Sequence, residues 1–508
     1  MLVSRRKFAA IAAAALSGLR LGAASRAKLT VLLISEQFRS DYLDLYSNFL
    51  IPGGFRRLME EGTYFPGCQM ASTTFTSTGL ATVSTGAYPQ LHGIVADSWY
   101  DRAAGRPIAA SPHALEATTF VQQLSEGDPL NRIFISALDL QDCALLAGTS
   151  GASLFYMNSA GSFETQGESG AALWLPAFNQ NQPFSAEKSR NAPWLALGGK
   201  KGAPPLRILK YDPARGEDFL ALYQASPFGQ SSQMLMAQEI FTQEKLGHGP
   251  SADVLILALG STALLGYEVG AGSPLMRELV LHLDRQVEAL LTLLDKNLGT
   301  RNYALAFTAL HGAPPDPDRR RQSLAIPGEL VAQTVNRALS TRYDIGPRKR
   351  VYVERYIYPF LYLRLDPLRS AYIDLREARD FAGRAALTVP GVVGYYTADG
   401  DSSYSGAWLE RFRNSFHAVR SGDLMLAYGP EYVEDTGSGR GISYGSLYNY
   451  DSRVPLILFG APFPAQVFET PVESIDIAPT LARITGVAWP SSATGRVLGE
   501  ALIAPDQG

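Results

Sequence analysis

Residues 70–102 read MASTTFTSTGLATVSTGAYPQLHGIVADSWYDR. Thr76-Ser77-Thr78-Gly79 opens a helix pattern that runs on through Leu80-Ala81-Thr82-Val83 and closes at Gly86. Small polar residues at a helix start leave backbone N–H groups aimed at whatever anion sits there. A hydroxyl in that place can act as a nucleophile if a neighbour removes or masks its proton. The tail continues Thr85-Gly86-x-x-Pro89-x-x-His92-Gly93-Ile94.

Outward from this stretch, the chain alternates short apolar β-rich runs with helical patterns. Leu29–Ser35 (LTVLLIS), Asp253–Leu259 (DVLILAL), Tyr303–Thr308 (YALAFT) and Val454–Phe459 (VPLILF) read as buried strands. Glu36, Arg39 and Asp41 follow the first strand at its C-terminal end, where α/β sheets place ligand chemistry. Pro274–Asn297 carries Leu275, Leu279, Leu283, Val287, Leu290, Leu291 and Leu294 at helical spacing. The alternation predicts an α/β sandwich with a mostly parallel central sheet flanked by helices.

The expected organisation is a core at 28–100, 231–325 and 423–508 with two insertions. The first, 101–230, is a cap rich in Gly, Ser, Asn, Gln and Pro with some strands, Arg132–Ala137 among them. The second, 326–422, is an α+β module with helices near Glu329–Ser340 and Leu375–Ala386 and a strand at Phe360–Leu365. Asp423–Tyr428 is expected to resume the core, and Gly437–Asn449 to form a Gly/Ser/Tyr loop. Arg319-Arg320-Arg321 after Asp316-Pro317-Asp318 reads as a solvated charged loop.

Of 508 residues, 46% are hydrophobic and 18% charged, which is a globular composition. A net charge of −3 gives no general field for nucleic acid or anionic lipid, and no nucleic-acid partner is expected. Cys68 and Cys143 cannot build a disulfide framework or a Cys-rich zinc site; they either pair in an oxidising compartment or stay as buried thiols. Residues 1–27 hold a charged start with Ser4-Arg5-Arg6-Lys7-Phe8, an apolar run Ala9–Leu19 and small residues near Gly22–Ala27. The order resembles a twin-arginine export signal, with an uncleaved anchor as the alternative. A periplasmic or secreted location follows as an expectation, with no transmembrane segment after the signal.

The Thr76–Ile94 motif, Arg413-Asn414-Ser415-Phe416…Asp423, Gly445-Ser446-x-Tyr448-x-Tyr450-Asp451-x-x-Val454-Pro455 and Ile475-Asp476-Ile477-Ala478-Pro479-Thr480-Leu481 together resemble the alkaline phosphatase superfamily, in its type I phosphodiesterase/nucleotide pyrophosphatase branch. The resemblance runs from about Leu29 to Leu502 and implies an alkaline phosphatase-like fold. It places the nucleophile position at Thr76 and makes His92 a turn residue. It also implies two zinc ions held by three Asp and three His, a two-metal clamp on phosphoryl oxygens.

This chain departs from that pattern. The six ligand positions read Glu36, Ala263, Tyr267, Leu310, His311 and Tyr444, so five are substituted and His311 alone is kept. The ion at Ala263, Tyr267 and Tyr444 is expected to be lost. The other retains Glu36 and His311, short of the three strong ligands of catalytic zinc sites. Where relatives carry Lys-x-Arg to clasp phosphate, this chain reads Asp139-Leu140-Gln141 or Leu140-Gln141-Asp142; an Asn position reads Asp97. A carboxylate there repels a phosphoryl dianion. Asp97, Asp139 and Glu36 are a candidate acidic pocket suited to a cation. The expected function is a catalytically degenerate, exported binding or interaction protein for an unknown small molecule or protein, with no cofactor. The alternative is a zinc-dependent phosphomonoesterase or phosphodiesterase using Thr76 with a reduced one-metal site at Glu36 and His311.

Overall fold

The structure is a computed structural model. It describes residues 27–503 apart from 168–171, 183, 185–186, 189–190, 315–323, 348, 431 and 434–443, and the side chains of 215–218 and 324. The export-signal segment up to residue 26, the arginine run at 319–321 and most of the 437–449 loop therefore lie outside the described residues.

Leu29–Gln37 is apolar along most of its length and buried on both faces, which is what a central parallel strand requires. Its parallel neighbours are Asp253–Leu259 and Tyr303–His311, with Leu29 in register with both Asp253 and Tyr303. The sheet has ten strands. From one edge the order is Gln466–Val467, Thr63–Gln69, Arg453–Gly460, Tyr303–His311, Leu29–Gln37, Asp253–Leu259, Arg132–Ala137, Ser153–Met157 and Phe163–Gln166, with Val472–Glu473 beside Thr63–Gln69. The strands from Tyr303–His311 to Ser153–Met157 run parallel, and Arg453–Gly460 and Phe163–Gln166 run against them. The parallel strands thus bring Glu36, Gly260 and His311 to one C-terminal edge. Helix Pro274–Asn297 buries Leu279, Leu283, Val287, Leu290, Leu291 and Leu294, and the Ser273 hydroxyl accepts from the Leu275 N–H at its start. Among the described residues no helix is long and apolar enough to cross a membrane.

Two boundaries differ from expectation. The first insertion, 101–230, is not all cap: Arg132–Ala137, Ser153–Met157 and Phe163–Gln166 extend the main sheet. Arg132 fixes that edge by a bidentate pair with buried Asp253, at 2.9 and 2.6 Å. A separate small core of Phe184, Ala192, Leu209, Phe219 and Tyr223 forms only further along. Second, Leu424–Tyr428 does not return to the main sheet. It pairs with Phe360–Leu363 and Val392–Thr397 in a four-stranded antiparallel sheet completed by Val353–Ile357. Helices Gly328–Tyr343 and Leu375–Ala386 complete that module, whose own core includes Val331, Leu339, Leu361, Ala382 and Leu426. Cys68 and Cys143 are both buried free thiols.

Candidate active site

Helix Thr76–Thr85 starts after Phe75, whose backbone is extended, and ends at Gly86 in the left-handed region at φ +67°. All ten helical residues are buried. The helix lies tightly on the strand Tyr303–His311: a Cβ added at Gly79 would sit 2.8 Å from Leu310 Cβ. That contact sets Thr76 at the C-terminal edge of the sheet, beside Glu36.

The Thr76 hydroxyl donates to Glu36 Oε1 at 2.6 Å. Burial pushes the Glu36 carboxyl up to about 8, against the pull of the Thr76 hydrogen bond and with added repulsion from Asp97 and Asp139. The Ser77 N–H, in the first turn of the helix, donates to Asp97 Oδ1 at 2.8 Å, and the Tyr444 hydroxyl donates to Asp97 Oδ2 at 3.0 Å. Burial raises Asp97 as well, although the contacts from Ser77 and Tyr444 lower it. The anion slot of this helix is thus filled by the chain's own carboxylate.

His311 ends its strand fully buried. Its Nδ1 lies 2.8 Å from the Gly312 carbonyl, which makes Nδ1 the protonated nitrogen, and Nε2 is buried without a partner. Burial lowers the imidazole to about 4, so it is neutral at physiological pH. The ring stacks on Tyr444 at 4.5 Å between centroids and 21° between planes. Tyr267 packs 5.4 Å from Tyr444, and Phe75 6.1 Å from it. His92 takes a structural place in the turn, 3.2 Å from the Thr82 hydroxyl through Nε2, with its Nδ1 accepting from the Ile94 N–H.

A cleft of about 470 Å³ opens over this edge, with Glu36, Thr76, Asp97, Asp139, Asp142 and Tyr444 in its walls. Leu138, Met157, Leu220 and Leu264 give it an apolar side. No lysine or arginine is among the described residues that line it. Asp139 caps helix Leu140–Ala147 by accepting from the Asp142 N–H at 2.9 Å. Burial holds Asp142 well above the usual carboxylate range, with Asp139, Glu36 and Asp97 adding to the effect. Asp139, Gln141 and Asp142 all face the cleft, so both readings of the expected clasp position bring a carboxyl group and neither brings a cation. The sequence grouped Glu36, Asp97 and Asp139 as an acidic pocket and named Asp142 only as the end of the alternative clasp register; the structure puts Asp142 in the same cleft.

The donor set does not fit the two-zinc clamp that the family resemblance implies. Leu310 and Ala263 are buried apolar side chains, and Tyr267 and Tyr444 are phenols. Burial together with Asp97 and Glu36 holds the Tyr444 hydroxyl well above its ordinary range, so it is a neutral donor. Among the described residues no group of three or more His, Cys, Asp or Glu side chains is placed to hold a metal ion. Glu36 and His311 are two donors, one fewer than a catalytic zinc site takes from protein.

Comparison with known proteins agrees with the architecture. The family profile for type I phosphodiesterase / nucleotide pyrophosphatase matches residues 30–433. Alkaline phosphatase PafA of Elizabethkingia meningoseptica is 25% identical over 540 residues, covering 95% of this chain and 96% of that protein. Alkaline phosphatase PhoV of Synechococcus elongatus is 24% identical over 522 residues, covering 94% and 93%. The crystal structure of wild-type PafA superposes with a TM-score of 0.81 at 23% identity, over 94% of this chain and 99% of that one. Murine ectonucleotide pyrophosphatase / phosphodiesterase 5 superposes with a TM-score of 0.53 at 14% identity, over 91% and 95%. With a profile spanning most of its length and the same sheet beneath its site, the chain belongs to the type I phosphodiesterase / nucleotide pyrophosphatase family of the alkaline phosphatase superfamily.

Proposed function

We propose that this chain is an exported, catalytically silent member of its family, a binding protein whose cleft rejects phosphoryl groups and accepts a positively charged organic ligand. The seat of Asp97 carries this reading. Its carboxylate takes the Ser77 N–H and the Tyr444 hydroxyl, two donors that an incoming anion would need. Glu36, Asp139 and Asp142 line the same cleft, with no compensating cation among its described lining residues. An anionic phosphoester finds the Ser77 N–H and the Tyr444 hydroxyl already taken by Asp97, while an ammonium or guanidinium group meets four carboxyl groups as hydrogen-bond acceptors and an apolar wall. Thr76 lacks a ready base, because burial pushes the neighbouring Glu36 carboxyl up to about 8 and it keeps its own proton at neutral pH.

A second reading, a one-metal phosphoesterase, draws support from His311. Its Nε2 lone pair is unprotonated and without a partner, the state a zinc ligand needs. In that reading His311 and Glu36 would hold the ion, which would polarise a phosphoryl oxygen, and Thr76 would be the attacking group.

Titration calorimetry with 1,5-diaminopentane and with inorganic phosphate tests the first reading. The diamine should bind, weaken as salt rises, and weaken again in Asp139→Asn. Phosphate should give no heat. Binding of phosphate with none of the diamine would overturn the proposal.

A further inference from the structure

We propose that a small pocket between the four-stranded sheet and the core is a further ligand site, which takes one ammonium ion against aromatic rings and the Asp451 carboxylate. The pocket shares no lining residue with the cleft at Thr76, and the inference does not rest on the reading of that cleft.

The pocket has a volume of about 20 Å³, room for one group the size of a water molecule. The strand Leu424–Tyr428 of the smaller sheet gives one wall, and segment 445–451 of the core gives the other. Tyr358, Trp408, Tyr428 and Tyr448 bring aromatic rings to it. The Trp408 and Tyr448 centroids lie 5.1 Å apart with the rings at 80°, and those of Tyr358 and Tyr428 lie 6.1 Å apart. The face of such a ring attracts a cation within about 6 Å of its centroid. Among the described lining residues Asp451 carries the only carboxyl group, and none is a lysine or arginine. Asp451 is fully buried; Oδ2 accepts from the Ser446 hydroxyl, and Oδ1 has no partner. A bare carboxyl oxygen is rare in a folded interior and calls for a reason. Arg39 acts on this carboxyl from a distance and only partly offsets its burial. A cation in the pocket supplies the missing partner. The oxygen supply selects ammonium over an alkali ion. The carbonyls of Tyr428, Leu447, Tyr448 and Tyr450 already accept from the Tyr448 hydroxyl, Arg411, the Asp451 N–H and the Ala313 N–H. An alkali ion needs a shell of such oxygens. Ammonium needs one acceptor for an N–H and ring faces for the rest.

The test is thermal melting at pH 8 in the chlorides of ammonium, potassium, sodium and tetramethylammonium at equal ionic strength. Ammonium should raise the wild-type midpoint above that in sodium, by about 3 °C at ~100-fold excess over its dissociation constant. Potassium should give much less for want of oxygens, and tetramethylammonium, too large for the pocket, nothing beyond sodium. The ammonium rise should persist in Asp139→Asn, which alters the cleft, and vanish in Asp451→Asn. A second measurement needs no variant: isotope-labelled ammonium added to wild type should give a distinct bound-ammonium resonance by NMR. Absence of both the ammonium-specific rise and the bound resonance would overturn the proposal and leave the pocket to water. An equal rise with potassium or tetramethylammonium, or a rise that Asp451→Asn keeps and Asp139→Asn loses, would also overturn it. Diamine binding in the cleft is read through Asp139 and ammonium binding through Asp451, so the two proposals fail separately.

Discussion

Replacing Asp451 with Asn should remove one defined component of the pH dependence of this protein's stability. Asp451 lies in the short helix Asn449–Ser452 just before the strand Arg453–Gly460 and is fully buried. Its Oδ2 accepts from the Ser446 hydroxyl, while Oδ1 has no partner. Burial pushes the carboxyl from 3.8 up to about 7, only partly opposed by Ser446 and Arg39. The folded chain then holds this proton more tightly than the unfolded chain does. The associated stability is fully present below about pH 4, falls as pH rises to about 7, and is flat above that. At about 1.36 kcal/mol per pH unit, the whole window is worth roughly 4 kcal/mol, and the part between pH 5 and pH 8 roughly 3. Unfolding entropy of ~2.1 cal/mol/K per residue gives about 1 kcal/mol per degree for a chain of this size, so 3 kcal/mol is about 3 °C. Melting wild type and Asp451→Asn at pH 5 and pH 8, at fixed ionic strength, checks this. With Asn standing in for the neutral carboxyl, the variant should melt about 1–2 °C higher at pH 5 and about 4 °C higher at pH 8, a gap that widens by about 3 °C. Asp97, Asp142 and Glu36 shift in the same direction in both proteins and cancel in the comparison. An equal pH gap in the two proteins would refute the reasoning.

Other substitutions test the scaffold around the site. Asp284→Ala strands two backbone donors, Ile51 N–H and Phe55 N–H, each 2.7 Å from its carboxylate; urea unfolding should register a loss of about 3 kcal/mol, and a loss under 1 would contradict the capping role. Gly79→Ala drives a Cβ to 2.8 Å from Leu310 Cβ and 3.1 Å from the Leu310 carbonyl oxygen, so it should cost about 1–3 kcal/mol in the same assay; a neutral result would mean that the helix and strand are not in close contact. Asp423→Ala releases Arg102, which ties the smaller sheet to the hairpin of Ser98–Asp101 and Arg106–Ala109, and frees Arg379 and the Leu363 N–H within the smaller module. Limited proteolysis should then cut faster near Arg102 and Arg379 than in wild type, and an unchanged pattern would rule out that tie.

The central strands were legible because their surroundings are simple. Asp253–Leu259 and Tyr303–His311 are buried along their whole length, so an unbroken apolar run is the signal that the physics predicts. Helix Pro274–Asn297 showed its period because one face is buried and the other is not. Partner choice was not legible. Leu424–Tyr428 has the same local pattern as a core strand, yet its neighbours are Phe360–Leu363 and Val392–Thr397, and pairing across sixty residues leaves no local trace. Arg132–Ala137 read as a strand, but the flanking Gly, Ser and Asn made its region look like a cap.

At the site, Thr76, Glu36 and His311 could be located from the motifs, and the structure brings Thr76 and Glu36 into contact. The direction of the Asp97 carboxylate could not. It depends on Ser77, twenty residues earlier, and on Tyr444, nearly three hundred and fifty later. The stacking of Tyr444 on His311 is of the same kind: sequence named both residues, and only the packing of separate segments sets their distance.

The most direct test of the central claim is hydrolysis of a phosphomonoester and a phosphodiester by zinc-exposed wild type beside Thr76→Ala. The account predicts that the two proteins are indistinguishable from each other and from the uncatalysed background. Zinc-dependent turnover present in wild type and absent from Thr76→Ala would contradict it, and would return the chain to the working phosphoesterases of its family.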